Sequence, residues 1–248
     1  LEGCYHCSNQ AKLFVYQPFL DKLGLKTPTT IDEFYTVLKA IKTQDPNGNG
    51  KADEIPLAGS IIGWSDHVER FLLNSFIYCD LDTDINAGAV SDVGFLMNNG
   101  KVDTAVNKAA FREGLAFINK LYREGLLYNG SFTQDSSQLT QLVESSVQPT
   151  VGFVAGGWRG QFSTIGGDCF NNYRAIAPLK GPKGEQNSVV FFQNPGIGRV
   201  VVSSKSPYAD AIMRYFAFMY SLEGTLLQRN GFEGEAWAWA DEGTVGLD

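Results

Sequence analysis

At 248 residues, with 44% hydrophobic and 19% charged side chains, the chain has an ordinary globular composition and length for one large domain or two small ones. Its net charge of −7 and pI near 4.9 argue against nucleic acid and anionic membrane as partners, because both demand a basic face. No apolar run is long enough to span a bilayer, and a start at Leu1 without initiator Met or signal sequence reads as an excerpt of a longer protein.

The first feature along the chain is "CYHC", with Cys4 and Cys7; Cys79 and Cys169 are the other cysteines. A second CxxC is lacking and His6 and His67 are the only histidines, so a zinc site is poorly supported and free or locally paired structural cysteines are expected. "KLFVYQPFL" reads as a strand running into a helix near Pro18. The next helix has a capping-box start, Thr30 with Glu33, and an apolar face of Ile31, Phe34, Val37, Leu38 and Ile41. It ends before Asp45-Pro46, and "EIPLAGS" beyond reads as a short buried strand. "DHVERFLLNSFIYC" and "NKAAFREGLAFINKLYREGLL" predict helices, the second with Ala110, Leu115, Ile118, Leu121 and Tyr122 on one face and Gly125 at its end. "SSQLTQLVESS" predicts a further helix, and "PTVGFVAGGW" a strand leading into a glycine-rich turn. "YRAIAPLKGP" and "GRVVVSS" predict strands, and "PYADAIMRYFAFMYSLEGTLLQR" one long helix with Pro207 near its first turn. Strands alternating with helices imply an α/β fold with a mostly parallel sheet.

The stretch "DPNGNGKADEIPL" has the spacing of oxygen ligands around calcium. Asp45, Asn47 and Asn49 stand at positions one, three and five, Gly50 at the sharp turn, and the Lys51 carbonyl at seven. Position twelve is Pro56 where an EF-hand has a bidentate Glu, while Asp53 and Glu54 come earlier, so the loop departs from that pattern. A Gly/Asn turn without an ion is the alternative. Trp64 in "IIGWSDH" and Trp158 in "AGGWRG" each follow a predicted strand beside glycine, where open α/β sheets bind ligands. Asp66 and Arg159 next to them can hydrogen-bond hydroxyls or a carboxylate, and packing is the competing role for both indoles. A nucleophile elbow, P-loop and dinucleotide fingerprint are lacking, and a dockerin would carry two calcium loops in a much shorter chain.

In order, "KLFVYQPFLDKLGLKTPTTIDEFYTVLKAIKTQDPNGNGKADEIPLAGS", "FREGLAFINKLYREGLL", "VGFVAGGWRG", "YRAIAPLKGPKG" and "SPYADAIMRYFAFMYSLEGTLLQRNGFEGEAW" resemble the extracellular solute-binding proteins of ABC importers. These are the family-one sugar binders related to maltose-binding protein, and the chain looks closest to lipoprotein-type members that include alginate-binding proteins. The resemblance implies a periplasmic-binding-protein-like (type II) α/β fold, mostly the C-terminal lobe with a partial contribution to the other. It implies an inter-lobe crossing at 1–16, the C-terminal lobe at 17–190, a strand-helix segment returning toward the N-terminal lobe at 191–230, and a hinge-proximal segment at 231–248. It implies that Asp53 and Glu54 close the calcium loop around a structural ion. It also implies that Trp158 stacks on a sugar ring, and that Glu233 and Trp237, with Trp239, belong to a hinge-proximal binding segment. The function so implied is non-enzymatic: capture of a carbohydrate, an oligosaccharide, for a membrane permease by a monomeric lipoprotein outside the cytoplasmic membrane. The rival classes are a carbohydrate-active enzyme and a calcium-dependent interaction module.

Overall fold

In the computed structural model, residues 7–9, 11–63, 65–79, 95–98, 100–144, 148–192 and 200–241 are described, those at 7–9, 95–98 and 190–192 by their backbone alone. Contacts divide the chain into a first unit, Leu1–Phe192, and a second, Gln193–Asp248, each considered by itself.

Strand β1 (Cys7–Asn9) leads to β2 (Lys12–Tyr16), whose Leu13, Phe14, Val15 and Tyr16 are all buried. Helix α1 (Gln17–Leu23) follows at once, because Pro18 suits a first turn whose amides have no intrahelical partner. Helix α2 (Ile31–Thr43) has the expected capping box. The Thr30 hydroxyl accepts the Glu33 N–H at 3.2 Å, and the Glu33 carboxylate accepts the Thr30 N–H at 3.3 Å. The whole predicted face of α2 is buried.

After β3 (Ile55–Ala58), the helix expected over "DHVERFLLNSFIYC" is only α3 (Val68–Leu72), tightened into a 3₁₀ turn at Leu73–Ser75. The hairpin of β4 (Phe95–Asn98) and β5 (Lys101–Thr104) was not expected, although Asn99-Gly100 between the paired Asn98 and Lys101 is a strong hairpin signal. In α4 (Ala109–Arg123), Ile118 and Leu121 enter the core, whereas Leu115 and Tyr122 stay partly exposed, so its apolar face is narrower than predicted. The Lys42 ammonium donates to the carbonyls of Glu124 and Gly125 at 2.7 and 3.0 Å, tying α2 to the negative end of α4. Helix α5 (Ser136–Glu144), strand β6 (Val151–Gly156), helix α6 (Asp168–Asn172) and strands β7 (Tyr173–Ala175) and β8 (Val190–Phe192) complete this unit.

The central sheet has the order β3-β6-β2-β7, and β8 pairs separately with β1. Only β3 and β6 run parallel; β2 is antiparallel to both β6 and β7, which corrects the mostly parallel sheet. Strands buried on both faces read as continuous apolar runs whichever way they point, so periodicity carries no sign of direction. Helix α2 packs on one face, with Phe34 edge-on to Phe153 at 5.0 Å. Gly152 permits that approach, because a Cβ there would meet Ile41 at 2.9 Å. Phe14, Phe162, Tyr173 and Tyr16 form successive ring contacts at 5.2–5.4 Å. Tyr173, wholly buried, donates its hydroxyl to the Val151 carbonyl at 2.7 Å. Cys79 and Cys169 are buried thiols, and burial, with Glu144 and Asp168 nearby, pushes the Cys169 thiol up to about 11. Cys4 and the Cys7 side chain lie outside the described residues.

In the second unit, residues 200–204 carry no strand, and Val200 and Val201 are exposed; β-branched residues form strands only where a partner strand is at hand. The long helix is two, α7 (Ala209–Met219) and α8 (Leu222–Asn230). Ser221 makes the break: its hydroxyl donates to the Phe218 carbonyl at 2.6 Å and accepts the Gly224 N–H at 3.1 Å, capping a new helix.

The capping box yields a prediction. Thr30→Ala should lower stability by about 1 kcal/mol, read as a lower urea midpoint at unchanged slope, while Thr30→Ser should be near neutral. An unmoved midpoint in Thr30→Ala would show that the cap adds nothing to this helix.

Candidate functional site

The loop after α2 folds around Asp45, a non-glycine residue in the left-handed region at φ 46°. Its carboxylate accepts N–H groups from Gly48, Asn49 and Gly50 at 2.9–3.1 Å. Partial burial pushes that carboxyl up, but these three donors and the neighbouring Lys22 outweigh it and hold it below its ordinary range. The Asn47 side-chain oxygen accepts the Asn49 N–H, and that of Asn49 accepts the Lys51 N–H. Both amide nitrogens donate to Asp53 at 3.1–3.3 Å. Glu54 is only 8% exposed, and neither of its carboxylate oxygens has a hydrogen-bond partner. Burial pushes its carboxyl up; the backbone N–H groups of Glu54 and Asn47 pull it down, and the charges of Asp45 and Asp53 push it up again, leaving it raised overall.

An orphaned buried carboxylate beside two others is costly unless a cation joins them. The donor set of Asp45, Asn47, Asn49, Asp53 and Glu54, all oxygen-bearing, therefore fits a hard divalent ion. Among the described residues, no three acidic, cysteine or histidine side chains close on one point. Turning the Asn47 and Asn49 amides would bring oxygens, rather than N–H donors, toward Asp53.

A second candidate lies where strands end. Because β3 and β6 are parallel, their C-terminal ends emerge side by side, followed by the loops 59–67 and 157–163. Trp158 is 40% exposed, and its indole lies over Gly160, where a Cβ would collide with the ring. One part of the indole is thus seated on backbone while the rest faces solvent. Trp64 lies outside the described residues.

Asp66 and Arg159, expected as hydrogen-bonding groups beside the indoles, are both buried. One Asp66 oxygen accepts the hydroxyls of Ser60 and Ser136, each at 2.7 Å. The Arg159 guanidinium stacks on Phe170 at 4.4 Å and donates to its carbonyl at 3.0 Å. Both are drawn inward because the loops beside the Trp positions need internal anchors, which adjacency in sequence cannot reveal. Further on, Ser65 accepts from Arg70 at 3.1 Å, and His67 sits 3.5 Å from Glu69.

The second unit holds its own aromatic site. The chain after α8 turns through Gly231 and Gly234, both at positive φ, and closes with the Gly234 N–H on the Trp237 carbonyl at 2.8 Å. The Trp237 indole donates to the Gly231 carbonyl at 3.0 Å, and Trp239 packs edge-on to it at 5.3 Å. Leu222, Leu227, Phe232, Glu233, Trp237 and Trp239 border a cavity of about 370 Å³. Trp239 is 64% exposed, so it presents more open surface than the hydrogen-bonded Trp237 named from sequence.

Residues 8–225 match the family profile described as bacterial extracellular solute-binding protein. The fructooligosaccharide ABC transporter substrate-binding protein FusA of Streptococcus pneumoniae serotype 4 is 37% identical over 122 residues, 49% of this chain and 21% of FusA. Lipoprotein LipO of Bacillus subtilis strain 168 is 26% identical over 239 residues, 94% of this chain and 45% of LipO. Among solved structures, an HMO-binding, ABC-transporter-associated solute-binding protein of Bifidobacterium longum infantis ATCC 15697 superposes with a TM-score of 0.70 at 26% identity, covering 96% of this chain and 47% of that one. FusA, solved as an EF-hand mutant in complex with fructo-nystose, superposes with a TM-score of 0.64 at 24% identity, covering 97% of this chain and 44% of FusA. The chain thus spans less than half the length of these relatives. The fold is that of the type II periplasmic solute-binding proteins. By the extent of the profile match, the chain belongs to the bacterial extracellular solute-binding protein family, which is made up of substrate-binding proteins.

Proposed function

We propose that the protein captures an extracellular oligosaccharide and delivers it to the permease of an ABC importer, without catalysis. The observation that carries this reading is the solvent-facing indole of Trp158, seated over Gly160 at the edge where β3 and β6 end. Sugars offer apolar C–H faces to such a platform and hydroxyls to nearby polar groups. Names among its relatives, fructooligosaccharide-binding and HMO-binding, support the same ligand class.

Stacking on one indole contributes on the order of 0.5–1.5 kcal/mol beyond burial, whereas micromolar affinity needs about 8 kcal/mol. Binding therefore draws on more than Trp158, and Trp64 is proposed to join it; Glu233 and Trp237, with Trp239, are proposed separately as the second unit's own ligand residues. Asp66 and Arg159 act from beneath. The proposed division keeps 1–16 as a crossing segment, 17–190 as the C-terminal lobe, 191–230 as the segment belonging with the other lobe, and 231–248 as hinge-proximal. The protein works as a monomer outside the cytoplasmic membrane, lipid-anchored like its relative named a lipoprotein. Among the described residues, no helix is long and apolar enough to cross a membrane itself.

Calcium, held by Asp45, Asn47, Asn49, Asp53, Glu54 and the Lys51 carbonyl, is proposed as a structural staple between α2 and β3. The support is the oxygen donor set and the partnerless buried Glu54. When bound, the ion neutralises the clustered carboxylates and fixes the loop.

Two outcomes follow. An ion bound only by the native state at a hundred times its Kd adds about 2.7 kcal/mol, so chelation should lower the melting temperature. Glu54→Gln should abolish that calcium-dependent increment; a melting temperature indifferent to chelator would remove the staple. In the full-length protein, Trp158→Ala should weaken fructo-nystose binding at least about five-fold by calorimetry, roughly 1 kcal/mol, with calcium-dependent stability retained. Unaltered affinity, or recovery of the saccharide as cleavage products, would overturn the reading.

A further inference from the structure

The polar stripe of helix α5 reaches both loops that follow the parallel strands. Residues 136, 140 and 144 are spaced four apart and therefore lie along one side of the helix. At the first, the Ser136 hydroxyl donates to Asp66 at 2.7 Å and lies 3.2 Å from the Ile62 carbonyl, which also accepts the Ser136 N–H at 3.0 Å. The loop sits so close that a Cβ at Gly63 would overlap that hydroxyl.

One turn on, the Thr140 hydroxyl is 3.2 Å from the Gln161 carbonyl and 3.0 Å from the Ser136 carbonyl of its own helix. Gln161 in turn closes the turn that carries Trp158. Its N–H donates to the Trp158 carbonyl at 3.2 Å, and its side-chain oxygen accepts the Gly157 N–H at 2.9 Å. At the third position, the Glu144 carboxylate accepts the Thr164 hydroxyl at 2.8 Å and the Thr164 N–H. The side of α5 next to this stripe buries Leu139 and Val143, so the helix itself is fixed in the core. Apolar packing alone lets loops slide, whereas directional hydrogen bonds to loop backbone set their position.

We infer that Ser136, Thr140 and Glu144 are positioning residues: this stripe of α5 fixes the loops after β3 and β6 relative to each other and holds the Trp158 turn in its binding-ready place. The inference rests on the carbohydrate-binding reading for its purpose, but not for its geometry. Preorganisation of this kind preserves affinity by sparing the ordering cost on binding.

The test uses the full-length protein labelled with 5-fluorotryptophan, with the Trp158 fluorine resonance assigned by its loss in Trp158→Phe. Thr140→Val, nearly isosteric but without the hydroxyl, should shift the Trp158 resonance and weaken fructo-nystose binding about five-fold, the equivalent of one ordinary hydrogen bond. Thr140→Ser should restore both. Glu144→Gln should shift the resonance less, because an amide oxygen still accepts one of the two Thr164 bonds. Should Thr140→Val fail to fold, Glu144→Gln and Ser136→Ala carry the same readout. A Trp158 resonance unmoved in these variants, with only the melting temperature lowered, would reduce α5 to packing and overturn the inference. A resonance that moves without loss of affinity, while Trp158→Ala does lose affinity, would also overturn it. If Trp158→Ala itself leaves affinity unchanged, the carbohydrate reading fails, and the fluorine spectra still decide whether α5 positions the turn.

Discussion

The parallel pairing of β3 with β6 is the constraint on which the rest of the first unit depends. Among the described strands of the central sheet it is the one parallel pair, and it sets two strand ends and two loops side by side. Every residue of β6 is buried, so the register is pinned from both faces: a one-residue slip would exchange the faces of Phe153 and Val154. Antiparallel β2 on the other side of β6 keeps that strand in the middle of the sheet, where its amides are paired and its end cannot fray. What projects from this rigid edge can therefore be held accurately, as the proposed recognition of a saccharide requires.

At that edge the loops are braced from within by α5 and Arg159, and one Asp66 oxygen takes two hydroxyls while the other, like those of Glu54, has no hydrogen-bond partner. At Glu54 neither carboxylate oxygen completes a hydrogen bond, and the charges of Asp45 and Asp53 stand near it. The donors around Asp45 and Asp53 offset only part of the self-repulsion there, and the proposed calcium would neutralise the rest.

Much of the local structure was legible because the signals were complete within a few residues. Thr30 with Glu33, Pro18 in a first turn, and the fully buried face of α2 all emerged as expected. Strand direction was not legible, since a doubly buried strand has no alternation to orient. The break at Ser221 was missed because apolar periodicity continued through "MYSLEG", although a serine three residues before Gly224 is a capping signal. Trp158 could be found as an aromatic beside glycines at a strand end. The burial of Asp66 and Arg159 could not, because it depends on Ser136 and Phe170, distant in sequence or invisible to spacing rules. Ser136, Thr140 and Glu144 carried only one signal, a polar stripe four residues apart on a short amphipathic helix, and such stripes ordinarily face solvent.

The most direct test of the central claim is a crystal structure of the full-length protein with fructo-nystose bound. The account places a sugar ring in van der Waals contact with the open face of the Trp158 indole, beside the loops following β3 and β6. An indole covered by protein, with the saccharide lodged elsewhere, would contradict it.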